Sequence, residues 1–78
     1  MQEDTIKAAS FELIQLGFRN GHVEVIATGE IKTIKARREG GTNIRLKSDR
    51  VLLTSVELDD VMIAIRSADT GGRYATGA

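Results

Sequence analysis

The chain has 78 residues, no cysteine and a formal net charge of zero, a size that fits one small domain, 1–72, and a composition that excludes a disulfide framework or a thiolate metal site. Its longest unbroken apolar run is Val61 to Ile65, far below the roughly 18 residues that span a bilayer, so no membrane segment is expected and a cytoplasmic location is. The charge is unevenly placed: 31–50 carries +5, 1–30 carries −3 and 51–78 carries −2.

From Asp4 or Thr5, both suited to capping a helix, Ile6, Ala9, Leu13 and Leu16 recur at spacings of three and four, which predicts an amphipathic N-terminal helix closed by Asn20 and Gly21. Val23 to Thr28 is short, β-branched and bounded by glycines, so it reads as a strand. In 31–37, Ile31 and Ile34 suit a helical turn, while Ile34 and Ala36 alternate with Lys35 and Arg37; the strand is favoured.

Two turns follow. A three-residue loop at Glu39, Gly40 and Gly41, with Gly41 at positive φ, would set Ala36 opposite Ile44 and Ile34 opposite Leu46. A two-residue turn at Ser48 and Asp49 would then set Leu46 opposite Val51 and Ile44 opposite Leu53. Thr54 and Glu57 have capping-box spacing between Leu53 and Leu58, which predicts a second helix. Its core stripe would be Leu58, Val61, Met62 and Ile65, and it would end at Asp69–Gly72. A strand over 61–65 is the competing reading. Residues 73–78, small and polar, are expected to be a mobile tail.

The expected fold is therefore α+β: a two-layer domain with an antiparallel sheet of three or four strands and both helices on one face. Those registers send Lys35, Arg37, Arg45, Lys47 and Arg50 to the opposite face with no acid among them, Lys35 opposite Arg45 and Lys47 opposite Arg50. Like charges directly opposed destabilise a sheet by up to about 1 kcal/mol per pair, so such a face calls for an anionic partner. The expected function is binding of duplex nucleic acid through phosphates, with Lys32 and Arg38 flanking and Asn43 near the hairpin tip placed to read a base. Phe11, Phe18 and Tyr74 lie off the basic strands, which disfavours a base-stacking platform.

Two other readings compete with it. Long cationic side chains also keep an exposed sheet from pairing with a neighbour. Acidic ends meeting a basic middle would equally suit a protein-interaction or self-assembling subunit, with a homodimer adding stability to a small core. An enzyme is not expected, and neither a cofactor nor a small-molecule substrate is evident. His22 stands alone and reads as the start of a strand, with a pH-sensitive contact as the residual role; Glu57, Asp59 and Asp60 read as acids favoured at a helix start. The run from Ala8 to Ala36 resembles the small archaeal chromatin proteins of the Alba superfamily, and the element order is similar to double-stranded RNA-binding domains. The first lacks a strand here and the second a basic C-terminal helix, so no family is assigned.

Overall fold

A computed structural model describes residues 3–70. Among these residues six strands, β1 (Thr5–Ser10), β2 (Leu13–Gly17), β3 (Val23–Ala27), β4 (Ile31–Ala36), β5 (Thr42–Leu46) and β6 (Val51–Thr54), precede one helix, α1 (Leu58–Asp69), and a 3-10 turn, Thr28–Glu30, joins β3 to β4. The strands form two antiparallel three-stranded sheets in the orders β1-β2-β3 and β4-β5-β6. This is a small α+β domain, with a second sheet where an N-terminal helix was expected. The segment 73–78, read from sequence as a tail, lies outside the described residues.

The N-terminal helix is replaced by the β1–β2 hairpin. Ile6 pairs with Leu16 and Ala8 with Ile14, and a bulge between Ala8 and Ser10 absorbs Ala9. Only Ile6 and Leu16 of the expected stripe face the core; alternation along each strand puts Ala8 and Ile14 there in place of Ala9 and Leu13. The reversal between the two strands carries no glycine, asparagine or aspartate: Glu12 adopts φ 59°, a left-handed conformation costing roughly 1–2 kcal/mol for a non-glycine residue. It is held from outside the hairpin. The Glu12 N–H donates to the Ala68 carbonyl at 2.8 Å, and its own carbonyl accepts the Thr28 N–H at 3.0 Å.

The core lies between the sheets and under the helix. Ile14, Leu16 and Ile26 come from the first sheet, Ile44, Leu46 and Leu52 from the second, and Val61, Ala64 and Ala68 from α1. Each buried Ile, Leu or Val contributes about 1.5–3 kcal/mol relative to exposure. The helix stripe differs from the expected one: Ala64 and Ala68 are buried beside Val61, whereas Met62 is 42% exposed. Two small residues bring the helix close to the sheet, where Met62 would hold it away.

The capping box does not form. Glu57 is the N-cap and makes no side-chain cap bond. Thr54 ends β6 instead, its hydroxyl accepting the Val56 N–H at 3.2 Å and donating to Asp4 at 3.3 Å. Asp4 also accepts backbone N–H groups, though not those of a helix it starts: Oδ1 takes Arg19 at 2.7 Å and Oδ2 takes Ser55 at 2.8 Å. One carboxylate thus ties the start of β1 to the β2–β3 loop and to the junction before α1. No buried side-chain polar atom among the described residues lacks a hydrogen-bond partner, as a marginally stable small domain requires.

Candidate functional site

Both turns flanking β5 are one residue away from the expected ones, with opposite consequences. In the first, the Arg37 N–H bonds the Gly41 carbonyl and the Gly40 N–H bonds the Arg37 carbonyl, so the loop is Arg38, Glu39 and Gly40. Ile34 then pairs with Ile44 and Ala36 with Thr42, a slip of two positions that preserves the faces. In the second, the Leu46 N–H bonds the Arg50 carbonyl and the Asp49 N–H bonds the Leu46 carbonyl. This is a three-residue loop with Asp49 at φ 71°, and it turns β6 over. Leu52 pairs with Ile44 and is buried, while Val51 and Leu53 face outward, 39% and 51% exposed.

The outer face of the second sheet is therefore two cross-strand rows: Thr33, Arg45 and Val51, then Lys35, Asn43 and Leu53. No acid stands in either row. Lys35 and Arg45 occupy diagonal positions with Asn43 and Thr33 opposite them, so the directly opposed cations expected from sequence do not occur. The strain that a phosphate ligand was expected to relieve is absent as well.

The remaining basic residues divide. Lys32 is the bulge residue between Ile31 and Thr33, Arg38 sits in the β4–β5 loop and Lys47 in the β5–β6 loop, all exposed. The Lys47 main chain is fixed by an N–H bond to the Glu30 carbonyl at 2.8 Å. Two cations are matched within the molecule: Arg37 pairs with Glu39 at 3.2 Å, and Arg50 reaches across to Glu24 of the first sheet. The Arg50 guanidinium, helped by His22 and opposed by partial burial, holds the Glu24 carboxyl below its ordinary range. His22 lies just before β3, its Nε2 3.2 Å from Glu24 and its ring stacked on Phe18 at 5.9 Å.

Of the residues expected to form the site, the structure brings Lys35, Arg45 and Asn43 onto one surface, leaves Lys47, Lys32 and Arg38 at its margins and withdraws Arg37 and Arg50 into ion pairs. Sequence reasoning missed Val51 and Leu53, because β6 was read in the opposite phase. It also missed Glu24 as the counterion of Arg50, a contact across 26 positions with no local signature. Among the described residues no helix is long and apolar enough to cross a membrane. No protein-family model, no curated protein and no solved structure matches this chain.

Proposed function

We propose that this chain is a cytoplasmic, non-enzymatic interaction domain whose contact surface is the outer face of the second sheet. Its partner would be a protein surface, or another copy of the chain, on which carboxylates neighbour apolar side chains. One observation carries the reading: an acid-free face that sets two cations, Lys35 and Arg45, beside two exposed aliphatics, Val51 and Leu53. Exposed aliphatics supply apolar area to bury, whereas the cations orient the partner and speed encounter. Phosphates make little use of aliphatics. With two cations on the face, binding to a duplex would show a log–log salt slope near about −1.8, against about −4.5 for five neutralised phosphates.

A second reading, binding of duplex nucleic acid, is favoured by a separate observation: Lys32, Lys35, Arg38, Arg45 and Lys47 are all exposed and, among the described residues, none pairs with a carboxylate. Titrating ¹⁵N-labelled protein with a glutamate–leucine copolymer and with a 20-base-pair duplex separates the two. The expected result is amide shifts at 33, 35, 43, 45, 51 and 53 with the copolymer, lost in both Arg45→Glu and Leu53→Ser. Duplex binding with a slope near about −4.5, indifferent to Leu53→Ser, would replace the first reading by the second. Shifts with neither probe would remove both.

A further inference from the structure

A groove of about 670 Å³ runs between β1 and α1. One wall is the consecutive run of residues 3 to 8, and the other is Asp60, Ile63, Ala64 and Ser67 of the helix, with Ser55 to Glu57 closing one end. Successive strand residues point to opposite faces, so the four consecutive strand residues among them, Thr5 to Ala8, can line one groove only along the strand's edge. β1 is an edge strand, paired on one side to β2. Among the described residues no backbone hydrogen bond ties Thr5–Ser10 to any segment outside that pairing. Among the described residues its outward main-chain donors and acceptors therefore have no backbone partner, an arrangement natural domains otherwise cover or blunt.

The helix wall fixes what fits beside that edge. Ala64 and Ser67 are small and leave room for a chain, and Ile63, 58% exposed, offers an apolar contact. Glu57 and Asp60 lie one turn nearer the helix start. Among the described residues neither they nor Glu3 forms an ion pair, and Lys7 is the one cation among those that line the groove. An anionic ligand is disfavoured here. Three helical residues, from Asp60 to Ile63, rise about 4.5 Å, and two strand residues about 6.6 Å. The two spacings differ by about 2 Å, a gap that side-chain reach spans, so a strand laid along β1 can set one side chain toward Asp60 and the next on the same face toward Ile63.

We propose that this groove receives an extended segment of a partner protein as a fourth strand of the first sheet, with a lysine or arginine facing Glu57 and Asp60 and an aliphatic residue two positions away facing Ile63. Main-chain pairing with β1 supplies the affinity, and the alternate side chains supply the selectivity. The surface is separate from the outer face of the second sheet, and the partner has the opposite charge to the one proposed there.

The test uses the full chain and a blocked peptide, Thr-Arg-Thr-Ile-Thr-Lys-Thr-Val, which sets cation and aliphatic two positions apart on one face, followed by ¹⁵N shifts and amide exchange. Expected are shifts at 5–8 and 60–67, slowed exchange of β1 amides, and affinity lowered about tenfold by Asp60→Lys, the scale of reversing an exposed charge next to its partner. Ile63→Ser weakens binding as well; both positions are exposed, so the fold survives either change. A peptide carrying proline at alternate positions fails to bind, having lost main-chain donors. Binding that tolerates the prolines or Asp60→Lys, shifts confined to 33–53, or no binding at millimolar peptide overturns the proposal. Broadening of β1 amides without peptide, abolished by Asp60→Lys, overturns the choice of partner in favour of a second copy.

Discussion

At the scale of single residues, Gly41 is the position the second sheet can least change. It holds φ +90°, and a Cβ there would overlap the Thr54 carbonyl oxygen and crowd Ser55. Left-handed backbone alone costs an alanine roughly 1–2 kcal/mol, and relieving the overlap would displace the end of β6, where Thr42 pairs with Thr54. Gly41→Ala should therefore lower stability by at least about 2 kcal/mol, or about 8–16 °C in Tm for a domain of this size. Gly29→Ala is the control: a Cβ there would meet nothing within 4 Å and its φ is not positive, so thermal unfolding should be unchanged or slightly raised. Equal losses in the two variants would refute the packing described around the β4–β5 loop.

Elements were legible from sequence where turn chemistry was explicit. Glycines bound Val23–Ala27, and Gly40 and Gly41 sit between β4 and β5, so strands were expected at β3, β4 and β5 and occur there. The C-terminal helix was expected and occurs, carried by the period of Leu58, Val61 and Ile65, although the Thr54–Glu57 capping box that also pointed to it does not form. Where a turn depends on a residue that rarely makes one, as at Glu12, or runs one residue longer than expected, as at Asp49, the period misleads. Glu12 and Asp49 both take positive φ, at the reversals that turned an expected helix into β1–β2 and put β6 out of phase. Tertiary hydrogen bonds hold Glu12 there, and these have no trace in a local window. The phase of β6 can be checked directly. Leu52 is 6% exposed in the core and Leu53 is 51% exposed, so Leu52→Ala should cost about 2–5 kcal/mol and Leu53→Ala no more than about 0.5 kcal/mol by urea unfolding. The reverse order would mean that the two-residue Ser48–Asp49 turn is the correct one. The cationic face followed the same fate, since Lys35 and Arg45 survive the register change and the apolar half of the surface emerged only from the observed phase.

At the scale of the whole molecule, two carboxylates connect parts that no strand pairing joins, and both make the fold acid-sensitive. Partial burial raises the Asp4 carboxyl, but the N–H groups of Ser55 and Arg19 with the Ser55 and Thr54 hydroxyls outweigh it and hold the group below its ordinary value; Glu24 is lowered by Arg50. A carboxyl depressed in the folded state contributes stability that is fully present above its unfolded value, about 4, and that is lost as pH falls through the lower folded value. Unfolding free energy should therefore be level from pH 7 to about 5 and decline below about 4. Asp4→Asn removes an acceptor from one of two backbone donors, which costs about 1–3 kcal/mol at pH 7, and it should flatten the acid decline. The two sites differ in mechanism. Asp4 has a side chain only 5% exposed, and Arg19 Nε stands 3.9 Å away, so its contribution is mainly hydrogen bonding and should resist 0.5 M salt. Arg50 is 55% exposed beside Glu24, and that contribution should be screened. If Asp4→Asn left the pH profile of unfolding unchanged, the tie between β1, the β2–β3 loop and the start of α1 would not be what protects the fold from acid.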